Sequence, residues 1–215
     1  MKRIVSAFLS VSISILIFGG GSHAAVIYDN GVIVDNARAS DVDFPLFVAD
    51  DFTLGAGANT VYDVHWTGAY AFSNTPSATD NFTLQVYADA AGTPGALLHT
   101  VLLGNGVNRV DTGIDIFGFD LYSYSTNISP ITLAAGTPFW LSIFNDTSSD
   151  TNDNWYWGMA IGAGNSRSRA GASAAWGAQL DAQDFQLTSI PEPATLALLG
   201  VALAGLGLSR RRKLH

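Results

Sequence analysis

The sequence of 215 residues contains no cysteine and very little glutamate or lysine. Without cysteine the chain has no disulfide framework and no thiol for catalysis or metal binding. Seventeen of its 18 acidic residues are aspartate, the single glutamate is Glu192, and lysine occurs only at Lys2 and Lys213. Because glutamate and lysine are charged residues that favour helices, their scarcity predicts a body with few helices.

The body is instead rich in residues that favour turns, separated by short segments with strand periodicity. Glycine alone occurs 22 times, and serine, threonine, asparagine and aspartate accompany it at the turns. The clearest strand is Asn81–Ala88, where Phe82, Leu84 and Val86 alternate with Thr, Gln and Tyr. About nine or ten such strands predict an all-β fold, a jelly-roll-like two-sheet antiparallel sandwich.

The remaining strand predictions follow from the same alternation and from turn residues. Val26–Tyr28 and Val32–Val34 are separated by a turn triplet, which predicts partner strands. A proline near the start of Phe44–Phe52 predicts an edge strand or a strand entry. We expect a single strand at Asp115–Ser125 and a Gly/Ser/Ala-rich loop at 162–183. Further strands are predicted at Val61–Phe72, Ala96–Leu103, Thr137–Phe144, Trp155–Ile161 and Asp184–Thr188.

The N-terminal residues 1–24 have the layout of a secretory signal peptide. Two basic residues, Lys2–Arg3, precede the apolar helix-forming stretch Ile4–Phe18. A glycine break at Gly19–Gly21 and small residues before Ala24 predict cleavage after Ala24. The alternative is an uncleaved membrane anchor, which the glycine break disfavours.

The C-terminal residues 191–215 combine a short proline motif, an apolar run and a basic cluster. The run Ala194–Leu208 carries no charge, and as a helix it would measure about 22 Å, shorter than the ~30 Å hydrocarbon core. Basic side chains at its end favour a membrane span, because they orient it with that end in the cytoplasm and snorkel to lengthen it. We therefore predict a transmembrane helix at 194–209; the alternative is a soluble helix with a basic end. The orienting residues are Arg210, Arg211, Arg212 and Lys213.

This order of elements resembles the PEP-CTERM protein-sorting signal of Gram-negative bacteria, which is also labelled as an ice-binding-protein C-terminal domain. The motif residues are Pro191, Glu192 and Pro193. The resemblance implies recognition by an exosortase, a membrane transpeptidase that would cut near these residues and remove the helix. It also implies transient residence in the inner membrane, followed by release to the cell surface or the exopolysaccharide matrix of a biofilm.

Two segments of the body are similar to β-sandwich ectodomains of other secreted PEP-CTERM proteins. They are Phe82–Leu98, which reads FTLQVYADAAGTPGALL, and Leu133–Asn145, which reads LAAGTPFWLSIFN. This similarity implies a β-sandwich ectodomain at 25–190 and brings no assigned activity with it.

The predicted ectodomain is strongly acidic. It holds 17 Asp and four Arg, a formal charge of −13. A nucleic-acid partner is not expected, because a phosphate backbone requires a basic surface. An acidic surface keeps the domain soluble and attracts cations.

Catalytic motifs are scarce. The ectodomain has two histidines, His65 and His99, both in strand-like segments, and we expect them to be structural. The segment Gly164–Ser168 lacks the final glycine of a nucleophile elbow. Two aspartates could form a glycosidase pair, but nothing selects which two. No enzymatic activity and no catalytic residue is therefore predicted.

One loop has the composition of a calcium site. Ca²⁺ takes six to eight oxygen ligands, commonly from Asp, Asn and backbone carbonyls. The spacing from Asp150 begins like an EF-hand, but Trp155 stands at the glycine position and Ile161 at the position of the last acidic ligand. The alternative is a solvated Asx-rich turn between strands. The candidate ligands are Asp146, Asp150, Asn152, Asp153 and Asn154, and Ca²⁺ is the only cofactor considered.

Aromatic residues next to this loop suggest a carbohydrate surface. Trp155 and Trp157 share one face of a predicted strand and Tyr156 lies on the other. If the tryptophans faced solvent, sugar rings could stack on them; otherwise they belong to the core.

Three functional hypotheses follow from these features. The first is an exported, non-enzymatic surface or matrix protein sorted by its C-terminal signal. The second, from a different class, is a lectin-like carbohydrate-binding module, with or without calcium, that binds exopolysaccharide. The third is a glycoside hydrolase.

Overall fold

The computed structural model describes residues 24–189, apart from 72–75, 77–78, 151 and 162–164. The predicted signal helix and the predicted sorting segment at 191–215, with its helix at 194–209, lie outside the described residues. All regular elements in the described ranges are β-strands. These ranges contain no helix with the length and hydropathy needed to span a bilayer.

The described residues form 14 strands. In chain order they are β1 Ala25–Asp29, β2 Ile33–Ala39, β3 Leu46–Thr53, β4 Thr60–Ala71, β5 Phe82–Asp89, β6 Pro94–Gly104, β7 Asn108–Ile116, β8 Phe119–Thr132, β9 Pro138–Phe144, β10 Asn154–Ala160, β11 Arg167–Ala170, β12 Gly177–Ala178, β13 Ala182–Gln183 and β14 Phe185–Ser189.

The strands form two antiparallel sheets. In the eight-stranded sheet, the long strand β4 pairs with β8 on one side and with β14 and β10 on the other; β7, β1, β2 and β13 extend it outward. The second sheet has six strands in the order β12-β11-β3-β9-β5-β6. The predicted all-β architecture with two antiparallel sheets is confirmed, and the jelly-roll connectivity stays a prediction.

The core lies between the sheets, and side-chain alternation builds it as predicted. On β5, Phe82, Leu84 and Val86 are buried. They share one hydrophobic cluster with Val64 and Trp66 of β4 in the other sheet. A smaller cluster comprises Ala49, Tyr87 and Trp140, with Trp176 packed against it. Large aromatic residues thus stabilise a fold that lacks disulfides.

Several local predictions need correction. Val26–Tyr28 lies in β1 and Ile33–Val34 in β2, which begins one residue after Val32. These strands do not pair with each other, because β1 pairs with β14 and β2 with β10. The predicted strand Asp115–Ser125 contains the turn Phe117–Gly118 between β7 and β8. Both turn residues have positive φ, 53° and 81°, as a two-residue hairpin turn of this twist requires.

Two further differences concern β3 and the segment 162–183. β3 lies between β11 and β9, so it is an internal strand, and Pro45 precedes its first residue as the strand-entry alternative predicts. The segment 162–183, predicted to be a loop, contributes β11, β12 and β13. These strands are short and rich in Ala, Ser and Gly, so the sequence shows no apolar alternation that would have predicted them.

Candidate functional site

The predicted calcium ligands lie on the connection from β9 to β10 and at the first residue of β10, and Asp146 already accepts local hydrogen bonds. Asp146 accepts hydrogen bonds from Asn81 Nδ2 at 3.3 Å and from the backbone N–H of Ser148 at 3.2 Å. Asp150 and Asn154 are half-buried, Asn152 is exposed and Asp153 is buried. The described residues contain no group of three or more His, Cys, Asp or Glu side chains placed to hold a metal. Calcium sites also use amide and carbonyl oxygens, and calcium binding by this loop stays a prediction.

The two tryptophans of the predicted carbohydrate surface belong to the core. Trp155 and Trp157 are both 0% exposed. The Trp155 ring packs edge-on to Phe82 with centroids 5.0 Å apart, and Trp157 Nε1 donates to the backbone oxygen of Asp184 at 2.8 Å. Neither indole has a face open to solvent. The prediction that a sugar stacks on these rings is therefore wrong. The tryptophan face of β10 is turned towards the other sheet, and alternation alone does not specify which of the two faces of a strand is covered in this way.

A different surface has the properties of a binding site: a concave region on the outer face of the eight-stranded sheet, which we call the polar groove. It consists of two adjoining concavities of about 240 and 500 Å³ that share Ser125. The first is lined by Asp29, His65, Ser123, Asp184 and Gln186, among others. The second is lined by Asp63, Asn108 and Asn127, among others.

The register of four strands aligns polar side chains across this groove. His65 on β4 lies opposite Gln186 on β14 and Ser125 on β8. Ser125 in turn lies opposite Asn108 on β7. Directly opposed residues in an antiparallel sheet point to the same face, and neighbouring strands are about 4.8 Å apart. The result is one continuous row of hydrogen-bonding side chains across the sheet.

Carboxylates dominate the electrostatics of the polar groove. His65 Nε2 contacts Asp63 Oδ2, and Gln186 Nε2 donates to Asp29 Oδ2 at 3.0 Å. Asp184 accepts a hydrogen bond from Thr67 Oγ1 at 2.6 Å. Burial raises the pKa of Asp184, and the nearby charge of Asp29 raises it further. A groove with three carboxylates accepts hydrogen bonds from hydroxyl groups and repels anions.

The polar groove was not predicted from the sequence, because its residues are far apart along the chain and come together only in the folded structure. Alternation on β4 already places Asp63, His65 and Thr67 on the side opposite the buried Val64 and Trp66. It does not say which strands flank β4, so the join to Ser125 and Gln186 was not predictable. The prediction that His65 lies in a strand is confirmed. The available signal for the groove was Asp63, which lies two residues earlier on the same face and contacts His65.

A buried polar network lies at the end of β4 and is structural in character. Arg109 Nη1 donates to Asp80 Oδ1 at 3.0 Å, and Asn145 Nδ2 donates to the Tyr70 hydroxyl at 2.9 Å. Tyr70 also donates to Asp80. The Arg109 guanidinium lies over the rings of Tyr70 and Tyr122, at 5.7 and 5.4 Å from their centroids. Burial raises the pKa of Tyr70, so this hydroxyl remains protonated and acts as a hydrogen-bond donor.

Asp50 is a second buried acid, and it links the two sheets. Its Oδ2 accepts from Asn30 Nδ2 at 2.7 Å and from the Gln183 backbone N–H at 2.6 Å, and its Oδ1 accepts from the Asp51 N–H at 2.9 Å. These three donors favour the ionised form, but burial outweighs them and raises the pKa of Asp50 to about 7. The folded state therefore binds a proton on Asp50 between about pH 4 and 7, where the unfolded state has lost it.

This difference predicts how stability changes with pH. Because the folded state binds this proton more tightly, Asp50 contributes its full stabilisation below about pH 4. This stabilisation is lost as the pH rises through 7. Relative to Asp50→Asn, which does not titrate, the wild type should lose on the order of 3 kcal/mol of unfolding free energy from pH 4 to pH 8. Urea unfolding of both proteins across this range measures the difference. A constant difference at all pH values would contradict the assigned pKa.

Comparison with known proteins identifies the C-terminal segment. Residues 189–213 match the family model described as the PEP-CTERM protein-sorting motif. No curated protein and no solved structure matches the chain. The match begins at Ser189, which is also the last residue of β14, so the sorting segment follows the final strand directly.

The match confirms the resemblance predicted from Pro191, Glu192, Pro193 and the segment that follows them. A PEP-CTERM signal indicates an exported protein that an exosortase recognises and sorts. It indicates a membrane-anchored precursor that then reaches the cell surface. The motif and the basic residues Arg210, Arg211, Arg212 and Lys213 lie outside the described residues.

Proposed function

We propose that this chain is a non-enzymatic protein of the bacterial cell surface or exopolysaccharide matrix, with a jelly-roll-like ectodomain released by an exosortase. The observation that carries the proposal is the sorting motif at residues 189–213, directly after the last strand of the sandwich. The absence of cysteine and of any nucleophile elbow in the sequence is in keeping with a structural or binding role.

The order of the C-terminal elements gives this proposal a physical route. After export, the apolar run from Ala194 would hold the precursor in the inner membrane, with Arg210–Lys213 on the cytoplasmic side. The prolines at 191 and 193 lack backbone N–H groups and cannot extend β14. We therefore expect the motif to be accessible to a transpeptidase at the membrane surface.

Replacement of Pro191, Glu192 and Pro193 together by alanine should block processing. We expect the triple variant to accumulate as the membrane-bound precursor, because the exosortase loses its recognition motif while the span remains. Membrane fractionation and immunoblotting of the exosortase-containing host measure this. Ser209→Ala, in the same segment, is the control and should be processed normally. Processing of the triple variant at the wild-type rate would refute recognition through this motif.

We propose carbohydrate binding as a second candidate function, now assigned to the polar groove rather than to Trp155 and Trp157. The row of opposed polar side chains offers hydrogen-bond donors and acceptors to sugar hydroxyls. The carboxylates Asp29, Asp63 and Asp184 favour neutral sugars over uronates by charge repulsion. Calcium dependence through the loop at 145–154 is a separate proposal, and a chelator tests it.

Substitution of Ser125 by valine should weaken binding of neutral oligosaccharides about fivefold to tenfold, the effect of one lost hydrogen bond near 1 kcal/mol. Ser125 is shared by both concavities, and valine is compatible with a strand. A screen of neutral and acidic glycans, with and without chelator, identifies the ligand, and calorimetry compares the variants. Thr132→Val, on an exposed part of the same strand, should bind normally. Equal affinity of Ser125→Val and wild type would exclude this groove.

A further inference from the structure

The strand β6 forms an open edge of the six-stranded sheet. It spans Pro94–Gly104, and β5 is its only partner strand in the described part of the chain. Leu98 is 43% exposed and Leu102 is 81% exposed. The strand contains no charged residue, although the body carries 17 Asp. Edge strands are usually protected by charged side chains, because their open N–H and C=O groups pair readily with another strand.

The order of residues on β6 is nearly the same in both directions. Residues 97–103 read Leu-Leu-His-Thr-Val-Leu-Leu, with Thr100 at the centre. When two such strands pair antiparallel about a two-fold axis at Thr100, Leu98 of each copy lies opposite Leu102 of the other, and Thr100 lies opposite itself. We propose that β6 is a self-association edge, and that its partner is β6 of a second copy of this chain.

Strand β6 contains bulges, which limit the region over which two copies of this strand can pair. In the pairing with β5, Leu98 and Leu103 have no opposite residue, whereas His99–Leu102 follow a regular register. Bulges bend a strand and end regular pairing. The contact between copies therefore centres on Thr100, with Leu98 and Leu102 at the two ends of the paired region, and it joins two six-stranded sheets into one continuous sheet.

Charge favours this edge over other parts of the surface. The body has a formal charge of −13, so two copies repel each other wherever their aspartates approach. The neighbouring edge strand β7, in the other sheet, carries Arg109, Asp111 and Asp115. β6 places exposed leucine opposite leucine and no carboxylate opposite another. Association through β6 is consequently apolar in character, and added salt strengthens it by screening the repulsion between the bodies.

The absence of cysteine allows a direct test on the full chain. Cα atoms of opposed residues in an antiparallel pair are about 4.5 or 5.5 Å apart, within the range that a disulfide spans. Thr100→Cys should form a disulfide-linked homodimer in the cell envelope, at least tenfold more than Thr132→Cys, an exposed strand position on the other sheet. Non-reducing electrophoresis of the exported chain measures the dimer, and mass spectrometry identifies the linked species.

A second substitution separates pairing from random collision. In the Thr100→Cys background, Leu102→Lys should reduce the dimer at least tenfold, because each copy then presents an ammonium group to Leu98 of the other. Leu180→Lys is the matched control: Leu180 is 99% exposed and lies outside β6, so the dimer should persist. The proposal is overturned if Thr100→Cys dimerises no more than Thr132→Cys. It is also overturned if Leu102→Lys has no effect or if Thr100→Cys links to a different protein.

Discussion

Replacing Gly68 by alanine is expected to lower the free energy of unfolding of the ectodomain by about 2 to 3 kcal/mol, the upper part of the range for overpacked cores. An added Cβ would lie 2.5 Å from Trp155 Cζ2 and 2.6 Å from Cε2 and Nε1. Real carbon contacts are not this short, so either the indole or the strand β4 must move. Chemical denaturation of wild type and variant gives the difference.

The indole has little freedom to move away from an alanine at position 68. Trp155 is fully buried, its ring contacts Phe82 and Tyr124, and its backbone N–H donates to Asp41 Oδ2 at 2.8 Å. Gly55→Ala is the matched control, since its Cβ would meet nothing within 4 Å. If Gly68→Ala and Gly55→Ala unfold at the same denaturant concentration, the packing of Trp155 on Gly68 is refuted.

The second large effect is expected from Asp80→Ala, which should cost about 3 kcal/mol, the lower part of the range for breaking a buried ion pair. The Asp80 carboxylate is buried and receives hydrogen bonds from Arg109 and Tyr70. Its removal withdraws the charge that balances the guanidinium and an acceptor of the tyrosine hydroxyl. The cost is placed low because the Arg109 side chain is 19% exposed, and water reaches part of it.

Two further variants divide this cost. Asp80→Asn keeps an acceptor oxygen without the charge, so its loss of stability should lie between wild type and Asp80→Ala. Asp115→Ala, at an exposed position on β7 opposite Asp120, should change stability by no more than about 0.5 kcal/mol. Thermal and urea unfolding measure all three. An Asp80→Ala variant as stable as Asp115→Ala would contradict a structural role for the ion pair.

The features that could be predicted from the sequence are those that depend on residues close together along the chain. Alternation on β5 predicted both the strand and its buried face, because one face of this strand contacts the core. On β9 it predicted only the strand, since residues on both faces are buried. The sorting segment was also predictable, since motif, apolar run and basic cluster are consecutive. By contrast, β7 is mostly exposed, so no apolar period marks it.

The candidate site depended on information that local order lacks. For Trp155 and Trp157, period 2 established that the two rings share a face, but the burial of that face depends on the residues that pack over it, such as Phe82 of the other sheet. The polar groove requires the register of β14, β4, β8 and β7, whose groove residues lie between positions 63 and 186. Strand pairing over such separations is set by the whole core, so neither the groove nor the β1–β14 pairing followed from the chain alone.

The most direct test of the proposed function is the intact mass of the mature protein recovered from the cell surface or matrix of an exosortase-containing host. We predict a chain that starts near Ala25 and ends near Pro191, without the apolar run and the cluster Arg210–Lys213. Recovery of mature extracellular protein that still contains these C-terminal residues would contradict processing by an exosortase.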